Sequence, residues 1–283
     1  MNITTLWICP TCNTEISTPY CSGCGERPPN ARDLTLRGLF GQLFQAFSNI
    51  DGRLFRSFSC LVSHPGALTI AYTRGMRKPY LGPFQIFLLA NVLFFAMQSM
   101  TKTHIVSSTL DSHLHNQDWS AIAQRLVSHR LESMKTTLEL YAPTFNQANL
   151  LHAKSFIILM VLPFALLLPI LFYWNRLPFV AHVVFSLHFY AFLLLLFCAS
   201  LAVVAVHTLF GGAGLNSSRV DNVLSAFNLG ACVVYLYLAT GTVYGARGPI
   251  RVLKVVALAL ATAGILLSYR FALFLITLYT TSQ

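Results

Sequence analysis

The chain has 283 residues, of which 55% are hydrophobic and only 10% are charged, and its formal net charge is +10. A soluble domain carries about one quarter charged residues, so this composition excludes an ordinary soluble protein and indicates a polytopic membrane protein. The positive charge lies mainly before the first apolar segment and in short loops, and no nucleic-acid-binding motif accompanies it. It therefore favours attraction to lipid head groups and retention on the cytoplasmic side over nucleic-acid binding.

Four cysteines near the N-terminus form two C-x-x-C pairs that are separated by eight residues. Two such pairs present four thiolates tetrahedrally to one zinc ion, in a closed structural site with no position for a catalytic water. Two disulfides or redox pairs are the alternative, which the reducing cytoplasm disfavours. We predict a zinc ribbon over residues 1–29, unfolded without metal, with structural zinc as the cofactor. Its ligands are Cys9, Cys12, Cys21 and Cys24.

Residues 30–80 are predicted to form a linker and then amphipathic and juxtamembrane helices. Apolar side chains recur at three- and four-residue spacing over residues 36–47 and again over 54–62, which is typical of amphipathic helices. Their apolar faces suit the membrane interface, packing against the crossing helices, or a partner, and these alternatives remain open. Pro65 is predicted to end the second helix, because the residue before a proline avoids helical geometry.

The first membrane crossing is predicted at residues 81–100, which contain no charged side chain. Twenty apolar residues span the hydrocarbon core, about 30 Å thick, as a helix. A basic cluster of Arg74, Arg77 and Lys78 precedes this segment, and such clusters stay on the cytoplasmic side. We therefore place the N-terminus in the cytoplasm and expect these three side chains to contact anionic lipid head groups.

Further crossings are predicted at residues 155–174, 179–206, 223–244 and 252–278. The polar segment at 101–154 is predicted to form one or two extracytoplasmic helices, and Pro163 and Pro169 are expected to kink the second crossing. Basic residues favour the cytoplasmic side at every short loop. The predicted fold is an all-α polytopic membrane protein of about five transmembrane helices, with a small N-terminal zinc ribbon and amphipathic interfacial helices.

A candidate intramembrane polar site lies in the third predicted crossing, at His182, Ser186 and His188. His182 and Ser186 share a helix face, whereas His182 and His188 point about 120° apart and cannot bind one ion from a regular helix. An ionisable residue inside a membrane indicates function by default, and the alternative is a neutral histidine bonded to a neighbouring helix. Arg270 is expected near the outer boundary, with its charge in the interface, and a charge buried among the helices is the alternative.

No catalytic residue is predicted. The predicted crossings contain no aspartate or glutamate, and the sequence has neither a phosphate-binding P-loop nor a G-x-S-x-G motif. Energised transport, ATP hydrolysis and serine-hydrolase chemistry are therefore disfavoured.

Several short motifs accompany the C-x-x-C ribbon and lead into the first crossing. They are the stretch from Asp51 to Arg56, the pair Pro65-Gly66, the spaced residues Tyr72, Gly75, Arg77, Tyr80 and Pro83, and the stretch from His182 to Phe192. This pattern resembles an uncharacterised bacterial family of zinc-ribbon membrane proteins, known as domain of unknown function 3667. The resemblance implies a multi-pass protein of the bacterial inner membrane and supplies no activity.

Two functions are consistent with these features. The favoured one is a non-enzymatic scaffold or regulatory protein of the inner membrane, whose cytoplasmic ribbon recruits a protein partner. The alternative is a membrane-embedded transporter or enzyme that acts on a lipid-like or anionic substrate. The lipid bilayer and a protein partner are thus the expected contacts, while the sequence leaves the substrate, the partner's identity and the oligomeric state open.

Overall fold

The structure, a computed structural model, describes residues 6–28, 52–101, 108–212 and 218–281. Within these ranges two short strands pair antiparallel near the N-terminus and nearly all the rest is helical. The strands are β1 (Trp7–Ile8) and β2 (Glu15–Ile16). The helices are α1 (Arg53–Ser63), α2 (Ala67–Thr73), α3 (Pro83–Thr101), α4 (Leu110–His115), α5 (Ser120–Met134), α6 (Leu138–Phe156), α7 (Val161–Leu171), α8 (Phe179–Leu209), α9 (Ser218–Tyr244) and α10 (Gly248–Thr280).

Five helical segments are long and apolar enough to cross a membrane, which confirms the predicted class of a multi-pass all-α membrane protein. They are α3, the continuous run from α6 to α7, α8, α9 and α10. The amphipathic helix predicted at 36–47 lies outside the described residues. The one predicted at 54–62 falls within α1, which buries Leu61 and leaves Phe55 exposed. One side of α1 thus packs on the bundle while another faces outward.

Helix α8 occupies the centre of the bundle. It packs against α1, α2, α3, α7 and α9, and its contact with α3 is the most extensive. A helix that is apolar on all sides belongs in such a buried position. Phe185, Leu187 and Phe189 are fully buried, and the Phe189 ring stacks on Phe164 of α7 with 4.9 Å between centroids. Close packing of this kind holds membrane helices together, since lipid tails are as apolar as the side chains.

The short helix α2 is wedged against α8 and α9 and is largely buried. It begins after Gly66, whose φ of 87° is readily adopted only by glycine. A β-carbon at Gly66 would lie 3.0 Å from each of three atoms of α9, including the Ala239 carbonyl oxygen. The turn predicted around Pro65 therefore does more than end α1, because it brings the juxtamembrane chain into contact with the fourth crossing.

The helix of the second crossing begins earlier than predicted. It runs from Leu138 through α6, a 3₁₀ turn at Ile157–Met160 and α7 to Leu171. Helices α4, α5 and the first part of α6 therefore occupy the segment for which one or two helices were predicted. The change in polarity at residue 155 therefore does not mark the start of the helix. The 3₁₀ turn directly precedes Pro163, which has no N–H to donate to the carbonyl four residues earlier.

The two ends of the bundle differ in composition. One end, here called the ribbon side, carries the ribbon, α1, α2 and the turns at 172–178 and 245–247. The two turns are joined by a hydrogen bond from Asn175 Nδ2 to the Tyr244 carbonyl at 2.5 Å. The other end, the distal side, carries α4, α5, the start of α6 and the end of α10, where Arg130 Nη2 donates to the Thr281 carbonyl at 3.0 Å. At 33 residues, α10 is about 50 Å long and extends past a hydrocarbon core of about 30 Å.

Candidate metal centre and its contact with the first crossing

The two C-x-x-C pairs adopt the same backbone turn. In each, the amide of the first cysteine donates to the carbonyl five residues later, and the amide four residues later donates back to the cysteine carbonyl, at 2.7–2.9 Å. That fourth residue has a positive φ in both turns, 57° at Asn13 and 70° at Gly25. Asparagine and glycine are the residue types that accept this conformation at least cost. The sequence thus builds two matching turns that aim their sulfurs at one point.

All four predicted ligands meet in this way. Their sulfurs lie within 4.8 Å of one another, and the Cys9–Cys24 and Cys12–Cys21 sulfurs are each 3.4 Å apart. A tetrahedral ion with metal–sulfur bonds of about 2.3 Å separates its sulfurs by about 3.8 Å. The observed distances bracket this value, so the four cysteines form a site of the right size for a metal ion.

The surroundings shift the pKa of two of the four thiols in opposite directions. Hydrogen bonds from the Thr14 side chain and backbone, and then from Cys21 and Cys9, lower the pKa of Cys12 to about 6. At Cys24 a hydrogen bond from the Glu26 backbone lowers the pKa, but desolvation and the three other sulfurs outweigh it and raise the pKa to about 12. A bound cation would hold both thiols deprotonated, because a thiol that ligates a metal ion loses its proton.

The ribbon has little core besides its metal ligands. Cys9, Ile16 and Cys21 are buried, with Trp7 packed beside them and its indole N–H donating to the Thr18 carbonyl at 3.0 Å. Leu6, Ile8 and Tyr20 are exposed, at 73%, 64% and 64% of their surface. So small a cluster does not stabilise a fold by itself, so a metal ion held by the four cysteines would supply most of the ribbon's stability.

Glu26 joins the ribbon to the first crossing. Its side chain is 2% exposed, and Oε2 accepts hydrogen bonds from the Arg77 and Lys78 amides, each at 3.0 Å, and from the Thr11 hydroxyl at 3.2 Å. Its own backbone carbonyl accepts from Cys21 N at 2.7 Å and so closes the second cysteine turn. One residue therefore contacts both cysteine turns and the segment that leads into α3.

The basic cluster predicted to contact lipid lies at this junction. The Arg77 guanidinium lies 5.5 Å from the Tyr72 ring centroid, and the Lys78 ammonium lies beside Gly25. Arg74 and Lys78 are exposed while Arg77 is half-buried. Two members of the cluster, Arg77 and Lys78, thus hold the ribbon with their backbone amides.

The three polar residues of α8 are buried but do not meet at one point. His182 Nδ1 lies 2.9 Å from the Tyr244 hydroxyl of α9, and Ser186 donates to the His182 carbonyl of its own helix. His188 Nδ1 lies 2.9 Å from the Thr69 hydroxyl of α2. The two rings therefore face different helices, as their spacing predicts. A cavity of about 20 Å³ beside His188 and Arg77 has room for about one water molecule.

Sequence reasoning missed the partners that organise this region. Glu26, Thr69 and Tyr244 act through contacts made 51 to 119 positions away along the chain. Ser57 belongs with them, because its hydroxyl accepts from Leu81 N at 2.8 Å and fixes α1 to the start of α3. A lone glutamate two positions after a cysteine carries no periodic signal, so spacing alone does not reveal it.

Comparison with known proteins adds one match. Residues 51–95 match a family described as protein of unknown function (DUF3667). The match confirms the resemblance over α1, α2 and most of α3, and it does not extend to the four cysteines. No curated protein and no solved structure matches the chain.

Proposed function

We propose that this protein is a non-enzymatic scaffold or regulator of a membrane, in which a zinc-stabilised ribbon is clamped to the first crossing and recruits a protein partner. The observation that carries the proposal is the buried Glu26 carboxylate between the cysteine turns and the Arg77 and Lys78 amides. A ribbon connected to the membrane helices only through the chain would not need this contact. A clamped ribbon presents its surface at a fixed position relative to the bilayer.

Zinc is the metal we propose for the four-cysteine site. A tetrahedral set of four thiolates suits zinc or iron, and zinc requires no redox partner. All four positions are taken by protein sulfurs, so the ion would stabilise the ribbon and would not activate water.

We place the ribbon in the cytoplasm of a bacterium and the crossings in its inner membrane. The ribbon side carries Arg53, Arg56, Arg176, Arg247 and Arg251 besides the basic cluster. Basic residues in short loops are retained in the cytoplasm. The exposed Arg74 and Lys78 side chains would bind anionic lipid phosphates there and hold the junction at the bilayer surface.

The partner would contact the exposed large side chains of the ribbon, Leu6, Ile8 and Tyr20. Tyrosine is enriched among the residues that contribute most to binding at protein interfaces, and Ile8 lies on a strand of a two-stranded sheet. The metal holds these side chains in position, because the cysteine turns that bind it adjoin the two strands of the ribbon.

A site-specific crosslink in intact cell membranes tests the proposal. A photoreactive amino acid at position 8 or 20 should give a discrete protein adduct, whereas one at the exposed polar Ser17 should give none. Cys12→Ser should abolish both the adduct and the stoichiometric zinc measured by mass spectrometry. A membrane-impermeant thiol reagent should reach chelator-treated Cys12 only after the cells are opened. Adducts that persist in Cys12→Ser, or purified protein without zinc, contradict the proposal.

The alternative function, a transporter or enzyme acting through His182, Ser186 and His188, is less well supported. His182 and His188 form hydrogen bonds to two different helices, α9 and α2. The cavity beside His188 is too small for any substrate larger than water. We therefore favour the scaffold.

A further inference from the structure

A large cleft lies between α8, α9 and α10, far from the ribbon. Its volume is about 530 Å³, which falls in the range of small-molecule and lipid sites. Part of its lining is apolar, with Leu193, Phe197 and Leu266 on the inner walls, while Leu229 and Ala263 are exposed at its opening. Because these three helices are membrane crossings, the opening faces acyl chains rather than water.

The cleft reaches from the hydrocarbon core to the distal boundary of the membrane. Arg270 lies 22 residues beyond Gly248, a rise of about 33 Å, which matches a hydrocarbon thickness of about 30 Å. Asn228 lies 16 residues before Tyr244, or about 24 Å from the same end of the bundle. Arg270 is therefore at the head-group level, and Asn228 is about two helical turns deeper.

Arg270 provides a cation at the mouth of the cleft. Its Nε and Nη2 atoms donate to the Ser108 hydroxyl at 3.0 and 2.5 Å. Asp221 lines the same cleft, but no ion pair joins it to Arg270 in the part of the chain that the structure describes. A guanidinium has five N–H donors in a planar fork that fits phosphate, and Ser108 satisfies only two of them.

Deeper in the cleft, Asn228 provides a second polar contact. Its Oδ1 accepts from the Ser200 hydroxyl at 2.9 Å, which orients the amide. The amide nitrogen has no hydrogen-bond partner among the residues described, although it borders the cleft. This donor lies on the membrane-interior side of Arg270, as the ester carbonyls of a phospholipid lie on the interior side of its phosphate.

We propose that this cleft binds one anionic phospholipid from the distal leaflet, with its phosphate on Arg270, its glycerol esters near Asn228, and an acyl chain against the deeper lining at Leu193 and Ala259. Leu193 and Ala259 lie 14 and 11 residues beyond the first residues of α8 and α10, at about 21 and 17 Å, and are thus deeper than Asn228 at about 24 Å. The cation, the amide and the deep apolar lining therefore follow one another along the cleft in the same order as phosphate, ester and acyl chain along the lipid. This site is independent of the ribbon and of the function proposed for it.

Lipid binding by the purified full-length protein tests the assignment. Native mass spectrometry would compare the retention of phosphatidylglycerol with that of phosphatidylcholine from mixed micelles. We expect phosphatidylglycerol to be retained more strongly, and Arg270→Gln to weaken its binding about tenfold, because a charged hydrogen-bonded contact is lost. Arg270→Lys should weaken it less, and Asn228→Ala about threefold. Arg125→Gln removes an exposed distal cation on α5 that does not line the cleft, and it should have no effect.

A cleft-filling variant separates a lipid site from a misfolded protein. Ala263→Phe places a ring in the opening without touching Arg270, and it should displace the lipid while leaving the thermal midpoint of the protein unchanged. Inorganic phosphate at millimolar concentration should not compete, since it has no chain. Competition by phosphate alone would identify a free-phosphate site and overturn the proposal. Equal retention in wild type, Arg270→Gln and Ala263→Phe would overturn it as well.

Discussion

The two ends of the bundle are stabilised by different means. On the ribbon side a metal-sized cluster of four sulfurs and a single carboxylate, Glu26, connect a small module to the membrane helices. On the distal side many neutral side chains share this role, with Asn149 bonded to the Ser108 carbonyl at 2.7 Å and Thr277 bonded to both Asn149 and His152. The comparison teaches that the ribbon side depends on a few strong contacts, whereas the distal side distributes its stability over many weak ones.

Removal of the metal should have the largest effect, and this effect should be confined to the ribbon side. A thiol-competent chelator should unfold residues 6–28, because apparent zinc-binding free energies in such modules are about 10–16 kcal/mol and their apolar cores are small. Limited proteolysis should then cut within the ribbon, while the thermal midpoint of the crossings stays within a few degrees. A ribbon that remains resistant to protease after complete metal loss would show that the sulfurs do not carry its stability.

Glu26→Gln should release the ribbon while keeping its metal. The amides of Arg77 and Lys78 lose a charged acceptor that contributes about 1.5–3 kcal/mol per hydrogen bond, so their hydrogen exchange should accelerate by about tenfold or more. Exchange measured amide by amide in detergent checks this, together with zinc content.

Glu15→Gln is the matched control for this release. Glu15 is the other acidic residue of the described ribbon, and its side chain is exposed. It should leave the exchange at both amides unchanged. If Glu26→Gln behaves like Glu15→Gln, the ribbon is held by other contacts.

Acidification should weaken the distal side in a smaller and graded way. His113 is 1% exposed, accepts from the Trp119 indole N–H at 3.2 Å, and packs 4.8 Å from the Phe274 ring centroid. Burial, and then the Arg270 charge, lower the pKa of His113 from 6.5 to about 4. The unfolded chain therefore takes up the proton first, and stability that is complete above pH 6.5 is lost as the pH falls towards 4, by at most about 3 kcal/mol.

Thermal midpoints between pH 7.5 and 4.5 measure this loss. His113→Phe should flatten the pH dependence, at a cost of about 1 kcal/mol at neutral pH for the unpaired Trp119 donor. His115→Gln alters an exposed histidine of the same helix and should keep the wild-type slope. A slope that His113→Phe leaves unchanged would assign the acid sensitivity to other groups.

The sequence predicts the parts of this protein better than it predicts their contacts. The four cysteines and the five crossings follow from spacing and composition, which are local properties. The helix from Leu138 to Lys154 escaped prediction as part of the second crossing, because its polar side chains join a distal network instead of facing lipid. Glu26 and Thr69 could not be predicted, since their roles depend on partners that only the fold brings near.

The position of Glu26 also couples two equilibria. Its backbone closes the Cys21 turn while its side chain binds the chain leading into α3, so ordering either one pre-organises the other. Thermodynamic reciprocity then requires that, if metal loading favours one tilt of the first transmembrane helix, that tilt raises metal affinity by the same factor. A change in bilayer thickness or curvature that alters this tilt would in that case change the metal affinity of the four thiolates.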